Sequence, residues 1–101
     1  MIIKLNSSAK KDLKDGFYFY EKQEMTIGSY FLDSIFSDID SLIITAGIHQ
    51  IIFNKYYRLL SKRFPFAIYY TIQENIIYVE AILDCRRKPA WIRERLTSNE
   101  L

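Results

Sequence analysis

The spacing of apolar residues changes near residue 46, and this change constrains the fold more than any other feature of the sequence. Before it, apolar side chains recur every three or four residues, which is the period of an amphipathic helix. After it, they alternate with polar side chains or form short continuous runs, which is typical of β-strands. Helices followed by strands favour an α+β protein.

The first half of the chain predicts an antiparallel helical hairpin. Asn6 begins a polar group that suits a helix N-cap, and Thr26 is placed to cap a second helix that Gly47 would end. Only a few residues separate the two helical patterns, which is short enough to bring the helices side by side. The apolar stripes comprise Ala9, Leu13, Phe17 and Tyr20 in the first helix, and Ile27, Phe31, Ile35, Ile39 and Leu42 in the second.

Strands are predicted at both ends of this hairpin. A short first strand lies within residues 2–5, and three more are expected at 57–62, 66–72 and 76–83. Because short polar turns join the last three, they should form an antiparallel meander. We therefore expect the order β-α-α-β-β-β, with the helices packed on one face of the sheet, in a single domain over residues 1–101.

Alternation along the last strand predicts which of its side chains face the core. Tyr78 and Glu80 alternate with apolar residues and are expected on the outer face, where the alternation also places Tyr69 of the preceding strand. Cys85, the single cysteine, shares the parity of the apolar set, so we interpret it as a buried bystander rather than a nucleophile. The predicted core-facing residues are Ile77, Val79, Ala81 and Leu83.

The composition excludes several classes of site. His49 is the only histidine, so a histidine-based nucleophilic triad or a multi-histidine metal site is impossible, and we interpret His49 as an incidental loop residue. The acidic residues lack a metal-ligand spacing and the glycines form no phosphate-binding loop, so we expect neither metal nor cofactor. No apolar run approaches the ~20 residues of a membrane helix. With no signal-peptide pattern at the start, a cytoplasmic protein is expected.

Positive charge is concentrated in the second half of the chain. Residues 1–54 carry five Lys/Arg and seven Asp/Glu, whereas residues 55–101 carry nine and five. Any attraction for anionic partners therefore lies in the second half. In an antiparallel meander the end of the last strand lies beside the start of the preceding one, so cations from both segments can converge. The predicted binding set is Arg63, Arg86, Arg87, Lys88, Trp91, Arg93 and Arg95, unless these cations simply face water while Trp91 packs on the sheet.

Two motifs in this half resemble those of RelE/ParE family toxins of type II toxin–antitoxin modules. KRFPFAIYY (residues 62–70) is similar to RRFPYxIYY, and VEAILDCRRKPAWIRER (residues 79–95) is similar to VLAVLHxRRxPxxWxxR. The remaining chain matches more loosely. The resemblance implies a small bacterial toxin of the plasmid-stabilisation type, cytoplasmic and neutralised in a hetero-oligomer by a cognate antitoxin.

The resemblance also bears on the target, because the family has two branches. RelE-like members are ribosome-dependent endoribonucleases that cut mRNA with basic residues on the sheet and a C-terminal tyrosine, whereas ParE-like members inhibit DNA gyrase. Here Ala67 occupies the position of a RelE-like arginine, Asp84 that of a frequent histidine, and no tyrosine follows Tyr78. The ParE-like branch is favoured, with DNA gyrase as the expected target through protein–protein contact.

Two alternatives remain open at this point. The first is a ribosome-dependent mRNA endoribonuclease that has replaced the missing groups, in which case the protein would be an enzyme acting on ribosome-bound message. The second is a degenerate module that binds antitoxin without being toxic. The replacement catalytic set would be Lys55, Arg58, Tyr69 and Arg87.

Overall fold

The protein folds as a five-stranded sheet with helices packed against it. The computed structural model describes residues 1–98 of the chain. Its elements, in chain order, are β1 (Ile2–Leu5), α1 (Ser7–Gln23), α2 (Ile27–Asp40), α3 (Leu42–Thr45), β2 (Gln50–Ile52), β3 (Tyr56–Leu60), β4 (Phe66–Gln73), β5 (Ile76–Asp84) and α4 (Pro89–Thr97).

The sheet order is β1-β5-β4-β3-β2. β2 to β5 are antiparallel neighbours, and β1 pairs with β5 in parallel. The α+β class and the antiparallel meander are thus confirmed. The meander also contains β2, a three-residue strand that is too short to show an alternation pattern in the sequence. β3 ends at Leu60, two residues before the predicted end of that strand.

The predicted helical hairpin is present, with one of its two caps as expected. Asn6 caps α1, since its side chain accepts a hydrogen bond from the Ala9 N–H at 2.8 Å. Thr26 adopts φ 79° and makes no side-chain cap bond. Glu21 serves instead, because its carboxylate accepts from the N–H groups of Thr26 and Gly28 at 3.2 and 3.0 Å. Gly47, with φ 96°, follows the single turn of α3 rather than α2.

A β-bulge corrects the predicted facing of β5. Tyr69 pairs with Ala81 but Tyr70 pairs with Val79, so Glu80 is an extra residue that reverses the alternation beyond it. The prediction was right for Val79, which packs with the hairpin, as it was for Ile77. Ala81 and Leu83 are buried, as predicted, but they and Cys85 lie on the opposite face of the sheet.

That opposite face is covered by α4, a helix that the sequence analysis did not predict. Ile92 and Leu96, four residues apart, are both buried against the sheet. The Tyr56 hydroxyl donates to the Leu96 carbonyl at 3.2 Å. The helices therefore occupy both faces, with the hairpin on one and α4 on the other. The second core comprises Tyr56, Ala67, Tyr69, Ala81, Leu83, Ile92 and Leu96.

His49 lies in the loop between α3 and β2, as predicted, but it has a specific partner. Its Nδ1 lies 2.5 Å from the Tyr70 hydroxyl, which also accepts from the Gly47 N–H at 3.0 Å. Burial lowers the pKa of His49, which favours the neutral ring. A neutral ring can accept a hydrogen bond from the Tyr70 hydroxyl. His49 therefore helps to hold this loop on the sheet.

Within residues 1–98, no helix is long and apolar enough to cross a membrane.

Candidate protein-binding surface

The segment that connects β5 to α4 carries most of the predicted binding residues. The Asp84 carboxylate accepts from the Arg86 N–H at 2.8 Å, and the Asp84 carbonyl accepts from the Arg87 N–H at 3.2 Å, which together form a tight turn. Pro89 then begins α4 at a position where its missing N–H and fixed φ suit a helix start. The turn and the helix thus place Arg87, Lys88 and Trp91 close together at one end of the sheet.

The loop that carries Arg63 lies beside this turn. The Cys85 N–H donates to the Pro65 carbonyl at 3.0 Å, and Phe66 pairs with Asp84 in the sheet. The structure therefore brings the backbone of the two basic segments together, as the meander predicts. Arg63 itself is exposed.

Arg86 is neutralised by a carboxylate of its own turn. Its Nε donates to Asp84 Oδ1 at 3.0 Å and its Nη2 to Asp84 Oδ2 at 2.7 Å, a two-point contact. This hydrogen bonding lowers the pKa of Asp84 below its ordinary value. Arg86 therefore contributes less to the basic surface than its sequence position suggests.

Arg95 is also engaged within the protein. Its guanidinium forms an ion pair with Asp12 of α1, whose other carboxylate oxygen accepts from the Ile82 N–H at 3.0 Å. Burial raises the pKa of Asp12, while the bonds from Ile82 and Arg95 act in the opposite direction. Arg95 thus anchors α4 to the edge of the sheet and to α1, and it is not a free anchor for a partner.

The remaining cations and the single tryptophan face outward. The Arg87 guanidinium lies 4.4 Å from the Trp91 ring centroid, a cation–π contact, and Trp91 is 37% exposed. Lys88 is exposed beside them. We call Arg87, Lys88 and Trp91 the basic ridge. Arg93 contacts a different region, because its guanidinium lies 4.9 Å from the Phe53 ring in the turn after β2.

A groove of about 380 Å³ borders the basic ridge. It lies along β5 beyond Val79, where pairing with β1 has ended. Gly16, Phe19, Ile82 and Trp91 are among its lining residues. Phe19 is 55% exposed, so the groove combines exposed aromatic surface with the Arg87 guanidinium and with charged groups of α1. This combination suits contact with a protein partner.

Arg58 and Tyr69 of the alternative catalytic set are neighbours in the sheet, but Tyr69 is covered. Tyr69 is fully buried beneath α4, and burial raises the pKa of its hydroxyl, which has no hydrogen-bond partner among residues 1–98. Arg58 pairs with Tyr69 across β3 and β4 and donates to Gln50 at 3.1 Å. Arg87 follows the end of β5 at Asp84. That end lies three residues beyond Ala81, the partner of Tyr69, which is about 10 Å at the usual rise per residue. The Lys55 ammonium lies 5.3 Å from the Tyr56 ring centroid.

Comparison with known proteins gives no match by sequence but several matches by structure. No protein-family model and no curated protein matches the chain. A chain of the solved structure "Chromosomal ParDE TA system from P. aeruginosa" superposes with a TM-score of 0.75. This chain has the same fold as that chain. The match covers 81% of this chain and 92% of the other at 17% identity, so the likeness is one of fold. It confirms, at that level, the ParE-like resemblance carried by residues 62–70 and 79–95.

Sequence reasoning missed two residues that shape this end of the molecule. Asp12 lies three residues after Ala9, at the border of the apolar stripe of α1, and a carboxylate in that position needs a partner. The position of Asp12 beside the apolar stripe could therefore have indicated a buried carboxylate with a partner elsewhere in the fold. Phe53, the ring beneath Arg93, has φ 51° in the turn after β2, and no sequence pattern indicated it.

Proposed function

We propose that this protein is the toxin component of a bacterial type II toxin–antitoxin module, active in the cytoplasm and neutralised by a cognate antitoxin in a hetero-oligomer. The observation that carries the proposal is the fold shared with a ParDE chain over 92% of that chain. The motifs at residues 62–70 and 79–95 support it independently, because they resemble RelE/ParE toxins in sequence. A module of the plasmid-stabilisation type is consistent with both.

The target we propose is DNA gyrase, bound through protein–protein contact by the basic ridge. Tryptophan and arginine are the side chains most enriched at interface hot spots, and Trp91 and Arg87 are stacked and exposed. Arg63, on the neighbouring loop, extends this surface, and Arg93 offers a second cation beside Phe53. Burial of Tyr69 under α4 favours contact over RNA cleavage, because the one tyrosine of the alternative catalytic set is covered.

Supercoiling by purified gyrase at rising concentrations of the protein tests this proposal. We expect inhibition by the wild-type chain, weakened about 30-fold by Trp91→Ala if Trp91 is a hot spot worth roughly 2 kcal/mol. Tyr18→Ala is the matched control, since Tyr18 is an aromatic residue of α1 that is 52% exposed outside the basic ridge. Circular dichroism of both variants checks that they fold.

Each negative result points to a different function. Undiminished supercoiling at stoichiometric excess of the protein would remove gyrase as the target. Ribosome-dependent cuts in translated mRNA, detected by primer extension, would establish the endoribonuclease alternative. Normal growth after induction of the gene without its antitoxin would support a module that binds antitoxin but is not toxic.

A further inference from the structure

We propose that Gly47, His49 and Tyr70 form a proton-sensitive latch, which holds the loop of residues 46–49 on the sheet and releases it when His49 is protonated. The loop joins α3 to β2. Since it contributes no residue to the basic ridge, the proposal does not depend on the function proposed above.

The latch is a chain of two hydrogen bonds that pass through one buried hydroxyl. The Gly47 N–H donates to the Tyr70 oxygen at 3.0 Å, and His49 Nδ1 lies 2.5 Å from the same oxygen. The Tyr70 side chain is fully buried, so its hydroxyl proton needs an acceptor inside the protein. Within residues 1–98, Nδ1 is the acceptor that this hydroxyl contacts, and the neutral ring therefore carries its own proton on Nε2.

Protonation of His49 converts this acceptor into a donor. The imidazolium ring carries a proton on both nitrogens, so the Tyr70 hydroxyl would face two donors and its own proton would have no partner. A buried hydroxyl left in that state is destabilising. Loss of the acceptor also weakens the Gly47 bond, because hydrogen bonds in a chain polarise one another. The closed loop is therefore compatible only with the neutral ring.

The surroundings of the ring do not compensate for a positive charge. Neither residues 41–54 nor β4 contains a Lys, Arg, Asp or Glu. The titratable groups on this face of the sheet are two phenols, since the ring of Tyr57 stacks on that of Tyr70 with centroids 5.0 Å apart. A phenol is neutral near pH 7 and offers no opposite charge to an imidazolium.

The cations of the neighbouring strands lie on the other face of the sheet. Arg58 follows Tyr57 along β3, and Lys4 follows Ile3, which packs into the core on the side of the loop. Burial is therefore the main influence on the ring, and it lowers the pKa of His49 below its ordinary value of 6.5. The latch should be complete above pH 6.5 and should be lost as the pH falls through the lowered pKa.

The loop has few other contacts that could hold it once the latch opens. Ile48 is 76% exposed, so its side chain adds little apolar burial. Gly47 has φ 96°, a conformation that suits glycine, and glycine regains more backbone entropy than other residues when it is released. Because Gln50 follows His49 directly, opening should uncover Tyr70 and loosen the start of β2 while the rest of the fold stays intact.

NMR spectroscopy of the full chain between about pH 5 and pH 8 tests the latch, because His49 is the single histidine and its ring signals are unambiguous. The pKa of His49 should lie below 6.5 and should rise in Tyr70→Phe, which removes the hydroxyl but keeps the buried ring. Protection of the Gly47 amide from hydrogen exchange, corrected for the intrinsic rate at each pH, should fall about fivefold as His49 is protonated. The control amide is that of Ala9, which donates to the uncharged Asn6 side chain at 2.8 Å and should keep its protection.

His49→Gln separates protonation of the ring from other effects of acid. Glutamine offers a neutral acceptor that does not titrate, so the protection of Gly47 should no longer depend on pH. His49 is only half-buried in a loop, so this variant should fold even if Tyr70→Phe does not. Unchanged protection of Gly47 while the wild-type ring titrates would overturn the latch, as would the same pH dependence in His49→Gln. A folded Tyr70→Phe variant with the wild-type pKa of His49 would also overturn it.

Discussion

At the scale of single residues, Asp12 joins three elements. It extends from α1, accepts the Ile82 N–H of β5, and forms an ion pair with Arg95 of α4. The Ile82 N–H requires this acceptor because β1 pairs with β5 only as far as Val79. A buried N–H without a partner costs about 1–3 kcal/mol. One carboxylate therefore completes the sheet edge and fixes the helix that presents the basic ridge.

Replacing Asp12 should destabilise the protein strongly. We expect Asp12→Ala to lower the free energy of unfolding by about 3 kcal/mol, because it leaves the Ile82 N–H and the half-buried Arg95 without their acceptor. Urea denaturation measures this loss. The control Asp15→Ala removes an exposed pair with Lys11 on the same helix and should cost at most about 0.5 kcal/mol. Equal losses in the two variants would show that Asp12 has no special role.

At the scale of elements, the packing of α1 on α2 depends on two glycines. A Cβ at Gly16 would lie 2.6 Å from the Phe31 ring, and one at Gly28 would lie 2.7 Å from the Phe17 carbonyl oxygen. A glycine inside α1 weakens the isolated helix by about 1 kcal/mol relative to alanine. The close approach of Phe31 explains why the folded protein nevertheless requires glycine at position 16.

Gly16→Ala should therefore destabilise the protein despite the higher helix propensity of alanine. We expect a loss of about 1–3 kcal/mol from overpacking against Phe31. Thermal and urea unfolding provide the measurement, and Lys14→Ala at an exposed position of α1 should be nearly neutral. In a double-mutant cycle, the penalty should shrink when Phe31→Leu makes room. A stabilising Gly16→Ala would contradict the close contact.

At the scale of the whole molecule, the charges are segregated along the chain. The first 54 residues are net acidic and the remainder net basic, yet Arg86 and Arg95 of the second half are paired with carboxylates within the protein. The attraction for an acidic partner should accordingly come from the unpaired cations Arg87, Lys88 and Arg93. Long-range charge affects the rate of encounter more than the lifetime of a complex.

Association with the proposed antitoxin should therefore slow as salt is added. We expect Lys88→Gln to reduce the salt dependence of the association rate, because it removes an unpaired cation of the basic ridge. Lys22→Gln, at an exposed position near the end of α1, is the control and should have a smaller effect. Stopped-flow or biosensor kinetics at several salt concentrations would measure both. An association rate independent of salt would contradict this prediction.

The sequence by itself determined the local elements and their order. Helical and strand periods depend on backbone geometry, so the hairpin, β3, β4, β5 and the Asn6 cap were all predictable from neighbouring residues. The three-residue β2 and the short α4 were not, because neither contains enough residues to establish a period. The basic segment itself was also predictable, together with its approach to the Arg63 loop.

Only the tertiary structure decided which of these residues remain available for binding. The bulge at Glu80 turned Ala81 and Leu83 towards α4, and α4 in turn buried Tyr69. Arg95 forms an ion pair with the carboxylate of Asp12, which lies 83 residues earlier in the chain. The physical reason is one of range: periods and caps act between neighbours in sequence, whereas burial and ion pairing depend on which distant segments pack together.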